Sequence, residues 1–169
     1  SYLIILDEES SKKIREIEIM NKEIKAALDE DRFEVYYQPI YSVASEHFVS
    51  AEALARMKDR DGNIVMPGKF IPAAEETGLI EQIGERVFRK TCQFIKANRL
   101  SEIGIEYVEV NLSVSQCENP MLSAVYHEIM KAEDITPDKI NLEITESSRL
   151  NSRNILLENM NTLMTLGYS

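Results

Sequence analysis

The strongest constraint on this chain is the way its hydrophobic period changes from Ile80 onward. Ile80, Ile83, Val87, Phe88, Thr91, Phe94 and Ile95 recur at helical spacing with Glu, Arg and Lys opposite, which predicts a long helix. Tyr107 to Leu112 then alternates at period two, as a strand does. Asn119-Pro120 supplies an N-cap and a first-turn proline for a helix whose face is Leu122, Val125, Tyr126, Ile129 and Met130. Pro137 breaks the chain and Ile140 to Thr145 reads as another strand. A last helix from Asn151 or Ser152 is expected to bury Ile155, Leu156, Met160, Leu163 and Met164 and to stop at Gly167. Helix, strand, helix, strand, helix in this order predicts right-handed βαβ units with parallel strands. Parallel sheets need helices on both faces or closure into a barrel, and their ligands sit at the C-terminal ends of the strands.

The segment before Ile80 has a different character. Tyr2 to Leu6 reads as a short buried strand, followed by the polar run Asp7 to Ser11 that can cap a helix. Ile14, Ile17, Met20, Ile24, Ala27 and Leu28 then form one apolar stripe among charged residues. That stripe reads as a linker helix packed on its own domain, because it holds too few heptads for a dimerising coiled coil. Phe33 to Ile40, rich in β-branched and aromatic residues, predicts a strand, and His47 to Met57 a second one after a turn at Ser42 to Glu46. Asp59 to Asn63 is a turn cluster that leads either into a hairpin with Ile64-Val65 or into a surface loop. Pro67 opens a short helix through Phe70 to Glu76, ended by Gly78.

A chain of 169 residues, 44% hydrophobic, is long enough for one globular domain with a real core. Its 19 Lys plus Arg against 29 Asp plus Glu leave a net charge of -10, which argues against DNA or RNA polymers as partners. A small phosphate-bearing ligand needs a divalent cation or a local Arg to reverse the field in one pocket. Cys92 and Cys117 match neither zinc-ligand nor disulfide spacing and read as reduced thiols. His47 and His127 lack a neighbouring nucleophile, His127 reading as a helix surface residue, and no Gly-rich phosphate loop is present. The sequence holds no apolar run of membrane-spanning length, so a soluble, cytoplasmic location is expected. The first residue is not Met, and an upstream membrane anchor in a longer protein fits the same reading.

Strand alternation decides which polar side chains share a face. In Phe48 to Arg56, Ala51, Ala53 and Ala55 line one side, and Ser50, Glu52, Leu54 and Arg56 the other. Asn111 stands apart from Val108 and Val110, and Glu143 from Leu142 and Ile144. A half-exposed strand alternates in this way simply by facing water. Under the parallel order, however, helices cover the outer face and these oxygens point into a barrel, where their desolvation demands a cation. Oxygen donors of this kind suit Mg²⁺, Mn²⁺ or Ca²⁺ better than zinc.

Tyr36-Tyr37-Gln38-Pro39-Ile40, Ala51-Glu52-Ala53-Leu54-Ala55-Arg56 and Phe70 to Ile80 resemble the start of EAL domains in order and spacing. Val110-Asn111-Leu112-Ser113 and Leu142-Glu143-Ile144-Thr145-Glu146-Ser147 continue the match, and motifs in sequence weigh far more than one alone. The resemblance implies a TIM-like (β/α) barrel, present here as about its first half. It implies metal-dependent hydrolysis of cyclic di-GMP to linear pGpG with Mg²⁺ or Mn²⁺ in a two-metal site. By position, Glu52, Asn111 and Glu143 match metal ligands, and Glu52 and Glu146 belong to the catalytic set, Glu146 supporting a catalytic loop. Gln38 and Arg56 match substrate contacts.

In the family, a strand with paired aspartates follows, then a Gly-rich loop and a later lysine, glutamate and glutamine. None of these lies within residues 1–169, so the chain by itself is expected to be inactive. Residues 1–30 resemble the end of a GGDEF domain and its connector, which places the EAL portion at 31–169 and an upstream GGDEF or sensor module before it. An open half-barrel leaves a strand edge unpaired, so a homodimer is expected. Two further readings stand beside the enzyme: a receptor that binds cyclic di-GMP without cleaving it, and a structural module that associates through its helices.

Overall fold

The computed structural model describes residues 8–145 and 153–168, and the opening strand expected at Tyr2 to Leu6 lies outside them. Helix α1 (Glu8–Asp29) leads into an antiparallel hairpin of β1 (Phe33–Ser42) and β2 (His47–Lys58). The two-residue β3 (Ile64–Val65) pairs back onto the end of β2, so the turn cluster closes a hairpin and is not a plain surface loop. After α2 (Pro67–Thr77) and α3 (Ile80–Asn98) come β4 (Tyr107–Ser113), the single turn α4 (Val114–Cys117), α5 (Leu122–Glu133), β5 (Ile140–Thr145) and α6 (Arg153–Leu166). The sheet order is β1-β2-β4-β5 with β3 beside β2, and β4 runs parallel to both β2 and β5. Parallel pairing after each helical crossover is the arrangement that the alternating periods predict.

One face of this sheet is apolar because every second residue is. Ala51, Ala53, Val108, Val110, Leu112 and Ile140 are buried there with Phe88 and Cys92 of α3 and Tyr126, Ile129 and Met130 of α5. Phe88 stacks on Tyr126 with centroids 4.1 Å apart, and Tyr37 stacks on Phe94 at 3.6 Å. Each fully buried large side chain of this kind contributes roughly 1.5–3 kcal/mol. A second core holds Ile24, Ala27 and Leu28 of α1 against Phe33, Met57, Phe70, Ala74 and Ile83. The C-terminal end of the α1 stripe therefore packs on its own domain, while Ile14 nearer the N-terminus is 44% exposed. Arg32 fixes that end, donating through Nε to Glu30 and through Nη1 to Glu23 and the Lys58 carbonyl.

Pro39 is tolerated inside β1 because β1 is an outer strand, where a missing N–H need not leave a ladder bond unmade. Helix α2 ends where Gly78 takes φ 73°, and Gly167 follows α6 with φ 98°. Three expectations need correction. Helix α5 starts at Leu122 after Met121, with no side-chain cap; Asn119 Oδ1 instead accepts from Met121 N at 2.9 Å, forming a local turn. On α6, Leu163 is buried as expected, but Met164 is 67% exposed and the buried polar residue is Asn159. Its Nδ2 donates to the Cys117 and Asn119 carbonyls, so a hydrogen-bonded amide takes an inward position that hydrophobic pattern assigns to Met. His127 is half-buried with Nδ1 enclosed, not a surface residue.

Candidate functional site

The face of the sheet turned away from the helices is polar for the same reason that the other is apolar. β1 contributes Glu34, Tyr36 and Gln38, β2 contributes Ser50, Glu52, Leu54 and Arg56, and β4 and β5 contribute Glu109, Asn111, Asn141 and Glu143. Gln38 stands opposite Glu52 across the hairpin, and Asn111 is level with Glu143 across the parallel pair. Asn111 Nδ2 donates to Glu52 Oε1 at 2.8 Å, joining two strands that are distant in sequence. With the amide nitrogen so engaged, Asn111 presents its carbonyl oxygen as an acceptor beside the carboxylates.

Glu52, Asn111 and Glu143 thus share one face, two of them in contact, as sequence alternation implies. Among the described residues no three His, Cys, Asp or Glu side chains form a ready metal cluster, and this set is two carboxylates and an amide. Its chemistry is that of hard oxygen donors, which fits Mg²⁺ or Mn²⁺ better than zinc. Arg56 lies beyond Leu54 on β2, its guanidinium 5.6 Å from the Tyr36 ring centroid and its Nη1 donating to the Ala55 carbonyl at 2.8 Å. Glu146 lies outside the described residues.

Two features of this face escaped sequence reasoning. Glu109 points the same way as Asn111 and accepts from Ser50 Oγ at 3.1 Å. Burial pushes its carboxyl above the usual range, the Ser50 hydrogen bond opposes that, and the charges of Glu143 and Glu52 add to the rise. The signal was present in Val108-Glu109-Val110-Asn111, where both odd-numbered residues are polar. The second feature, beside this face, is a largely apolar cavity of about 250 Å³ between the middle of β2, the end of β4 and helices α2 and α3, walled by Leu54, Pro67, Ile71, Gly84 and Asn111. Its walls come from five elements, β2, α2, α3, β4 and α4, so no local pattern announces it.

The far wall of that cavity is held by α4. Ser113 caps this turn, accepting from Gln116 N, while the Gln116 side chain accepts from Ser113 N at 3.0 Å. The Gln116 amide then rests on α3 at Gly84, where an added Cβ would stand 2.0 Å from its Nε2. A glycine in mid-helix is thereby explained by close approach.

The EAL domain family model matches residues 21–169. An uncharacterised signaling protein of Caulobacter vibrioides is 33% identical over 154 residues, which is 91% of this chain and 18% of that protein. The bifunctional diguanylate cyclase/cyclic di-GMP phosphodiesterase MucR of Pseudomonas aeruginosa is 28% identical over 86% of this chain and 21% of its own length. The solved complex of the PaMucR phosphodiesterase with c-di-GMP superposes with a TM-score of 0.79 at 26% identity, covering 89% of this chain and 61% of that one. The chain therefore spans about a fifth of these curated relatives.

Proposed function

The chain belongs to the EAL domain family, whose activity is cyclic di-GMP phosphodiesterase, and we propose that its polar sheet face is the first part of a metal-dependent site for that hydrolysis. The Asn111 to Glu52 hydrogen bond carries this reading, because it draws two oxygen donors from parallel strands together with Glu143 level beside them. Glu52, Asn111 and Glu143 would supply this chain's ligands to a two-metal site for Mg²⁺ or Mn²⁺ that the complete domain forms. When bound, the ions lower the pKa of an attacking water and neutralise charge on the phosphoryl oxygens.

The chain's own residues do the rest. Arg56 offers a planar fork to a phosphate or a guanine in an otherwise acidic protein, and Gln38 stands across from Glu52 to fix the ligand. The apolar walls at Leu54 and Pro67 suit the face of a base. Glu52 belongs to the catalytic set, as does Glu146, which supports a catalytic loop. Water bonds to phosphorus as the P–O3′ bond breaks, and the 3′-oxygen leaves with a proton, opening cyclic di-GMP to linear pGpG.

The same reading takes residues 1–30 as a connector from an upstream GGDEF or sensor domain and 31–169 as part of a TIM-like barrel. The protein acts in the cytoplasm on a small dinucleotide, not on a nucleic-acid polymer, and pairs as a homodimer. No described helix is long and apolar enough to cross a membrane. Residues 1–169 alone do not turn the substrate over, because the paired aspartates that the resemblance requires are not among them.

The test is chromatographic detection of pGpG from cyclic di-GMP by the full-length protein, with Mn²⁺ and with chelator. Turnover should require the metal, and Glu52→Gln should lower it by on the order of a hundredfold or more, since even outer-shell partners of metals are worth about 10–100-fold. Chelator-resistant turnover, or an unimpaired Glu52→Gln, contradicts the assignment. Tight binding without turnover in the presence of metal marks a receptor instead.

A further inference from the structure

Glu109 has no part in the roles assigned above, yet it occupies the middle of the polar face. It pairs in register with Glu52 on one side and Asn141 on the other, two residues before Asn111 on the same strand. We propose that Glu109 is a positioning residue that raises the divalent-ion affinity of the Glu52, Asn111 and Glu143 set through its charge, from a place outside that set. The inference rests on the metal-dependent reading of the site.

Two observations carry it. Ser50, itself 1% exposed, donates to Glu109 Oε1, and Ser50 is level with Tyr107, nearer the N-terminal ends of the strands. The hydrogen bond holds the Glu109 carboxylate toward Ser50, on the same face as Asn111. Among the described residues no Lys or Arg pairs with it. The cations of this face lie at the opposite end, Arg56 over Tyr36 and Lys58 bound to Glu34 at 2.6 Å. A charge left uncompensated on a half-buried face acts over several ångströms on any cation that enters, because screening there is weaker than in bulk water.

The experiment is titration of the full-length protein with Mn²⁺ alone, free ion being read by electron paramagnetic resonance. Wild type is compared with Glu109→Gln, Glu109→Asp and Glu52→Gln, each checked for native circular dichroism. Glu109→Gln should weaken Mn²⁺ binding by on the order of tenfold, and Glu109→Asp, which keeps the charge, should restore most of it. If Glu109→Gln binds as wild type does while Glu52→Gln is weakened, the role of Glu109 is overturned and the metal site stands. If Glu109→Asp loses as much as Glu109→Gln, charge is not the agent and the inference is equally overturned. Wild type and Glu52→Gln binding alike would overturn the metal reading and this inference together.

Discussion

Cys92 and Cys117 show how burial, more than any neighbouring charge, limits what a side chain can do. Burial, with the Glu133 charge as the next cause, pushes the Cys92 thiol up to about 12, and burial with Glu118 pushes Cys117 up to about 11. Both thiols are buried and their raised pKa keeps them protonated near neutral pH, which makes them poor nucleophiles in the folded chain. Ellman's reagent at about pH 8 should label neither thiol in the native protein and both in denaturant; prompt native labelling would contradict their burial. Asp31 behaves oppositely at the surface. A hydrogen bond from Lys90, reinforced by its charge and by Arg86, holds the carboxyl below its usual range despite some desolvation. Its folded pKa is depressed, so its contribution is present above the unfolded value and is lost as pH falls through the folded one. The stability gap between wild type and Asp31→Asn should therefore narrow from about pH 7 to about pH 3, as read by denaturant unfolding. A gap that widens on acidification would contradict the pairing.

At the scale of elements, α4 and α3 are locked by a contact that neither sequence segment reveals alone. Alanine at position 84 gains roughly 1 kcal/mol of helix propensity but drives its Cβ into the Gln116 amide that completes the Ser113 cap. Losing such a cap costs about 0.5–2 kcal/mol, and Tyr126 Oη, 3.0 Å from the added Cβ, leaves little room for the amide to move. Gly84→Ala should therefore destabilise the native chain and become stabilising once Gln116 is also alanine, a sign change that a double-mutant cycle reads directly. Additivity of the two substitutions would show that they do not touch.

The long helix at Ile80 and the strands at Phe33, His47, Tyr107 and Ile140 were legible because their periods are strong and uninterrupted. The turn α4 was not, since four residues between a strand and a proline carry no period. Asn159 was missed because an inward amide looks like a surface residue until its two carbonyl partners are in place. Alternation together with resemblance singles out Glu52, Asn111 and Glu143, and resemblance alone singles out Gln38, whereas Glu109 needed the register of β4 against β2.

Over the whole molecule, alternation divides the sheet into an apolar face that the helices cover and a polar face on which the candidate site lies. Parallel order brings the C-terminal ends of β2, β4 and β5 to the same side, which is where α/β architectures bind ligands. On the proposed reading, a divalent cation joins the acidic side chains gathered there and offsets part of their charge in a chain of net charge -10. The most direct measurement is anomalous scattering at the manganese edge from crystals of the full-length protein grown with Mn²⁺. A peak within coordination distance of Glu52, Asn111 and Glu143 oxygens is the expected result. Ordered Glu52, Asn111 and Glu143 side chains with no peak among them, at a Mn²⁺ concentration that supports turnover, would contradict it.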